Sequence, residues 1–318
     1  MKRLWLIFMM LFFLLAYISC QNIPVSKSKK LKVATSIFPI YDIAKNIAAN
    51  QADVLFIIPV GANPHTYEPV PAEIKRLKNV RLAIAVHEEF DGWLSDYLPE
   101  QAVLRFLKEE EQERGREKEH KGEARIAERH EHGQRVDHDE NPHIWLTVKG
   151  AKSLAERICG YLINADPKNA PHYKKNLQTY LQELEDLDNR IAAIFSAVNN
   201  RKFIQWHPAW NFFAEDYGLE IIGSIEKGHG HEPSIKEFKA LIDKAKREKV
   251  KVIVLGLNIE SKATETLARE IDGIVVRLDS IGDPTIKEKS TYIQLMYHNA
   301  VLLADALNQY DSIYNALN

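Results

Sequence analysis

The chain has 318 residues, 45% of them apolar, and sets 42 Lys and Arg against 44 Asp and Glu. A net charge of −2 excludes the strong basic excess that a nucleic-acid-binding surface needs. Two cysteines exclude a disulfide-rich scaffold, so stability must come from a hydrophobic core and from any bound ion.

Lys2 and Arg3 precede an uncharged apolar run from Leu4 to Ile18. The run falls short of the about 20 residues that span a bilayer and suits the core of a signal peptide. Ser19-Cys20 closes it. A small residue before a cysteine at this place resembles a bacterial lipoprotein cleavage site. On that reading residues 1–19 are a signal peptide and Cys20 becomes the lipid-bearing first residue. Tyr17 stands where that pattern prefers Leu, and a plain signal peptide or an uncleaved anchor is the alternative. Residues 20–30 are polar and broken by Pro24 and Ser26, which reads as a tether.

The folded body is expected to start near Leu31. Short β-branched runs at 32–37, 53–58, 81–86 and 103–106 predict four strands in the first half. Runs at 202–205, 220–222, 250–255 and 274–278 predict four in the second. Helical patterns separate them, so the expected fold is α/β, with two lobes that each hold a four-stranded parallel sheet. The first lobe is placed at 31–146 and the second at 201–318, with a helical segment at 147–200 between them. Within that segment Leu177, Leu181, Leu184, Leu187, Ile191, Ile194, Phe195 and Val198 keep helical spacing across 170–198. At 1.5 Å per residue this helix is about 40 Å long, enough to join both lobes and to restrict hinge motion between them. Cys159 falls on the apolar side of the preceding helix with Leu154, Ala155 and Ile158, so it is expected to pack in the core.

Residues 108–140 break this pattern. The stretch holds 20 charged residues and four histidines, His120, His130, His132 and His138. It cannot bury a core and is expected to be a mobile loop that either collects metal loosely or carries incidental histidines. The run Gly228-His-Gly-His-Glu is a weaker pattern of the same kind.

Four other residues sit just past predicted strands, where the ligand crevice of an α/β lobe lies. His65 is held in Pro59-Val-Gly-Ala-Asn-Pro-His-Thr-Tyr-Glu-Pro. His143 lies in Asn141-Pro-His-Ile-Trp-Leu, His207 in Gln205-Trp-His-Pro-Ala-Trp, and Asp279 in Arg277-Leu-Asp-Ser-Ile-Gly-Asp. Each histidine alone reads more often as a hydrogen-bonded structural or surface residue than as a ligand. Asp279, like Asp283, also reads as a turn or helix cap. Together, three imidazoles and one carboxylate can close a tetrahedron around Zn²⁺, and nitrogen ligands favour zinc over the more oxygen-loving manganese.

These motifs, with Tyr217-Gly-Leu, Glu232-Pro-Ser, Leu278-Asp279 and the segment 292–299, resemble the zinc/manganese solute-binding lipoproteins of ABC metal importers. The similarity runs from Leu31 to the C-terminus. It implies two α/β lobes joined by a long helix, an ion site in the cleft between them, and ligands at His65, His143, His207 and Asp279. It also implies a monomeric receptor outside the cytoplasmic membrane that passes its ion to an importer permease. Histidine at the third position is similar to zinc-binding members; manganese-binding members usually have Glu there. A His-rich acidic loop between the first two motifs is also typical of zinc members. Asn141 and Pro208 stand where the family commonly has Asp, and Gly256-Leu-Asn lacks the usual Glu.

Other classes leave different marks. A zinc hydrolase needs an open coordination position and a general base. No His-Glu-x-x-His occurs, and Glu68 is the one carboxylate near His65 in its motif. A surface adhesin would not depend on His65 or His143. A receptor for a metal chelate such as a cobalamin or siderophore would use Trp145, Trp206 and Trp210 to line a wide cleft.

Overall fold

The computed structural model describes residues 30–105, 141–226 and 233–317. The signal core, Cys20, the loop 108–140 with its four histidines, and the run 228–232 lie outside the described residues. Leu31–Asn318 forms one compact unit.

The first lobe is built from β1 (Leu31–Thr35), α1 (Phe38–Ala48), β2 (Ala52–Phe56), α2 (Pro71–Arg76), β3 (Leu82–Ala85), two single turns α3 (Glu88–Asp91) and α4 (Leu94–Tyr97), and β4 (Val103–Arg105). After residue 140 come α5 (Val148–Ala165) and the long α6 (Ala170–Ser196). The second lobe contains β5 (Lys202–Gln205), α7 (Asn211–Asp216), β6 (Glu220–Ser224), α8 (Ile235–Arg247), β7 (Val252–Gly256), α9 (Lys262–Ile271) and β8 (Ile274–Leu278). A final helix, α10, spans Tyr292–Leu317.

Both sheets are parallel and share one plan, β2-β1-β3-β4 and β6-β5-β7-β8. In each, the chain crosses to one side of its first strand and then returns to the other. The strand order therefore reverses beside β1 and beside β5, which places a ligand crevice outside their C-terminal ends. The predicted strands all form, with ends shifted by one or two residues. β6 runs on to Ser224, two residues past its expected end, around a register irregularity at Phe203/Ile204 in its partner β5.

Helix α6 carries the join. Tyr173, Tyr180, Leu184, Leu187, Ile191 and Phe195 are buried along one stripe and belong to a single core that also takes in Val33 and Ile43 of the first lobe and Phe203 and Phe213 of the second. Each such side chain contributes about 1.5–3 kcal/mol by leaving water. Helix α10 adds a second connection that the sequence reading missed. It leaves the second lobe after β8 and packs against α6 and α1. The Tyr292 hydroxyl donates to the carbonyls of Trp145 and Thr147, both at 2.9 Å. The Tyr292 backbone N–H donates to Asp42 Oδ2 of α1 at 2.8 Å. Cys159 is buried in the same core, as expected.

Asp42 buries a carboxylate to make that link. Burial pushes its pKa up to about 6 from 3.8, against the opposing effect of the hydrogen bonds from Tyr292 and Asn46. A raised folded-state pKa means stability is highest below the unfolded value and is lost as pH rises through 4 to 6. Asp42→Asn keeps an acceptor for Tyr292 without the charge. It is expected to stabilise the protein by about 2–3 kcal/mol at pH 8 and by roughly half that at pH 5. Denaturant unfolding at the two pH values measures this, and a gain independent of pH would contradict it.

Candidate metal centre

His65 sits on a 3-10 turn, Pro64–Thr66, nine residues past β2. Gly61 adopts φ +84°, which side-chain-bearing residues rarely tolerate, and lets the chain double back. The Asn63 carboxamide oxygen then accepts the His65 backbone N–H at 3.0 Å. Phe90, on α3, meets the His65 ring edge-on with centroids 5.2 Å apart.

His143 is buried and tied to Asn141 twice. Asn141 Oδ1 accepts the His143 backbone N–H at 3.0 Å and lies 2.7 Å from its Nδ1. A proton on Nδ1 leaves Nε2 with its lone pair. The Asn141 amide nitrogen donates to the Pro208 carbonyl at 3.0 Å, so one side chain links the first-lobe ligand to the loop carrying His207. An Asp at 141 would lack that donor. Gly150 supports the same segment: a Cβ there would lie 2.0 Å from the Ile144 carbonyl oxygen, so only glycine lets the first turn of α5 approach.

His207 follows β5 by two residues. Its Nδ1 lies 3.3 Å from Glu226 Oε2, a carboxylate buried just past β6. Its Nε2 is buried and has no hydrogen-bond partner among the described residues. A buried nitrogen acceptor without a partner is costly, and here it points into a cluster of its own kind. His65 Nε2 and His143 Nε2 are 3.1 Å apart, and the three ring centroids lie 4.9–5.1 Å from one another. One nitrogen from each ring falls within 4.8 Å of the other two, a grouping that can hold a metal ion. Nitrogens 2.0–2.1 Å from a tetrahedral zinc are about 3.3 Å apart, so small ring movements would close the shell. Burial, then the neighbouring His207 and His65, push the His143 pKa well below its ordinary 6.5. The ring therefore stays neutral, as a ligand must be.

Asp279 is not among the three. It directly follows β8, but both carboxylate oxygens are engaged. Oδ1 accepts the backbone N–H groups of Ile281 (3.0 Å) and Gly282 (2.9 Å), and Oδ2 accepts from the Lys289 ammonium at 2.6 Å. Asn299 clamps its backbone, with Oδ1 accepting the Asp279 N–H at 2.9 Å and Nδ2 donating to its carbonyl at 2.6 Å. Asp283 caps a turn through Thr285. Glu68 is exposed, while Trp145 and Trp210 are buried in the core and do not line an open cleft. Trp145 packs 5.2 Å from His143 and donates from Nε1 to the Ser280 carbonyl at 2.7 Å, which fixes the Asp279 loop beside the histidines.

Sequence reasoning missed Glu226 and Lys289. Glu226 obeys the same strand-end rule as the ligands, but a strand stopped at Ile222 hides it. Glu226→Gln removes the charge that supports the His207 Nδ1 proton. It is expected to weaken divalent-metal affinity by about 10-fold, the lower end of the usual loss for a residue behind a ligand. Competition with a chelating indicator measures this, and unchanged affinity would show that Glu226 does not support the site.

The family model for ZnuA, described as zinc-uptake complex component A, periplasmic, matches residues 33–306. The high-affinity zinc uptake system protein ZnuA of Bacillus subtilis is 29% identical over 290 residues, which is 89% of both chains. The zinc-binding lipoprotein AdcA of Streptococcus pneumoniae is 26% identical over 307 residues; these cover 92% of this chain and 58% of AdcA, so the chain spans little more than half of that relative. A crystal structure of ZnuA aligns with a TM-score of 0.70 at 27% identity, covering 88% of this chain and 100% of the other. A manganese-bound periplasmic metal binding protein from Candidatus Liberibacter asiaticus shares the fold, with a TM-score of 0.72 at 20% identity over 87% of this chain and 100% of the other. With its family match running almost from end to end of the described body, the chain belongs to the ZnuA family of periplasmic zinc-uptake components.

Proposed function

We propose that this protein is a high-affinity receptor that binds zinc outside the cytoplasmic membrane and delivers it to an ABC importer. The observation that carries the reading is the convergence of three imidazole nitrogens, one of them buried with no hydrogen-bond partner among the described residues. A soft-leaning nitrogen set suits zinc, and manganese would call for more oxygen donors. Asp279 is the proposed fourth donor, reached when its carboxylate leaves Lys289. Four protein ligands fill a tetrahedral shell and leave no position for an activated water, which favours a receptor over a hydrolase. Glu68, exposed at the surface, gives that hydrolase no sheltered base. Cys20 is the proposed lipid anchor, placing the receptor at the membrane surface as a monomer. His120, His130, His132 and His138 are the proposed auxiliary collectors of metal.

His143→Ala is expected to weaken zinc binding by orders of magnitude in calorimetry while the circular dichroism spectrum stays unchanged. A deletion of 108–140 is expected to preserve tight binding at the triad. Full affinity in the His143 variant, or total loss in the deletion, would move the site away from the three histidines.

A further inference from the structure

The carboxylate that directly follows β8, Asp279, already holds a cation. Lys289 lies on the 3-10 turn Lys287–Lys289 and is 8% exposed, an unusual setting for an ammonium without a paired charge. Its Nζ lies 2.6 Å from Asp279 Oδ2, and both side chains are largely shielded from water. The surrounding loop is closely held. Gly282, at φ +81°, leaves only 3.0 Å between a built Cβ and the Phe38 ring, and Asp283 N–H donates to the Lys289 carbonyl at 3.2 Å. The Asp279 backbone is pinned by Asn299, so the ion pair cannot drift away from the site as a unit.

We propose that Lys289 is a resident stand-in for the metal charge: its ammonium occupies Asp279 in the metal-free protein, and the incoming dication displaces it. This rests on the zinc-receptor reading above. Asp279 Oδ1 is held by two backbone N–H groups, so Oδ2 is the oxygen that both cations would use. An ammonium and a dication repel strongly at one shielded oxygen, so metal binding at Asp279 displaces the Lys289 contact. The exchange solves a problem of the empty site. An unpaired, shielded carboxylate would be costly, and the ammonium neutralises it until cargo arrives. It also lowers net affinity by the strength of the broken ion pair, which helps a receptor that must give its ion up. The displaced ammonium has a second carboxylate on the same loop. Asp283 is held below the usual range mainly by the Thr285 hydroxyl and backbone N–H, with Lys289 contributing a little.

The test compares Lys289→Met, Lys289→Gln, Asp279→Asn and the double variant Asp279→Asn/Lys289→Met in the full chain, with zinc alone as probe. Removing the competitor is expected to raise zinc affinity at least about tenfold in both single Lys289 variants. The metal-free melting temperature of Lys289→Met should fall while its zinc-induced rise grows. The Asp279→Asn variant should bind more weakly, and adding Lys289→Met to it should give no further gain. Equal or weaker zinc affinity in both Lys289 variants would overturn the proposal. Because zinc binding by the unaltered chain, and its loss in His143→Ala, are measured independently of Lys289, failure here is separable from failure of the receptor reading.

Discussion

Three imidazoles that each turn one nitrogen toward the same point do not gather of their own accord. Each loses hydration on approach, and the 3.1 Å contact between His65 Nε2 and His143 Nε2 returns one hydrogen bond. The structure holds them together because every ring is anchored from behind: Asn141 grips Nδ1 of His143, Glu226 sits at Nδ1 of His207, and Phe90 backs the ring of His65. With Nδ1 of His143 and Nδ1 of His207 engaged, one nitrogen of each ring lies close to the other two. The arrangement contributes little to folding, so the stability of the rest of the molecule must carry it.

The scaffold is suited to this. His65 and His207 come from loops past the C-terminal ends of strands in two separate sheets, His143 stands just before the 3-10 turn Ile144–Leu146, and a cluster drawn from two lobes is only as fixed as the lobes are to each other. Here one continuous core runs through both, lined by α6 and closed by α10. Separating the lobes would send the Leu184, Ile191 and Phe195 stripe and the Tyr292 hydrogen bonds into water. Such a molecule is expected to adjust its loops around an ion more readily than to swing wide open. Asn141 to Pro208 and Trp145 to Ser280 are the polar contacts through which those loops act on one another.

Much of this was legible in the sequence. The inner strands β1, β3, β5 and β7 are largely buried and read as short apolar runs, and the β-branched runs of the more exposed outer strands stood out by composition, so all eight were found. The stripe from Leu177 to Val198 betrayed the long helix because its period is local. His65 and His207 stood out because each follows a strand in a proline-containing loop, and His143 because it repeats the Asn-Pro-His of the His65 segment; the structure brings the three rings together. What stayed hidden depends on pairings between distant segments. The role of α10 turns on Tyr292 meeting Asp42, 250 residues earlier. Glu226 was obscured by a misplaced strand end. Lys289 looked like any charged residue in a surface turn, since nothing local marks it as buried. Asn141 was noticed as a departure from the family's usual Asp. The donor it sends to Pro208, which an Asp could not make, is visible only in three dimensions.

The central claim is that zinc sits among these three imidazoles. Zinc-edge X-ray absorption on the metal-loaded protein tests it most directly. The account predicts imidazole scattering from three histidines at about 2.0–2.1 Å, completed by an oxygen donor in a four-coordinate shell. A six-coordinate shell made mainly of oxygen would contradict it.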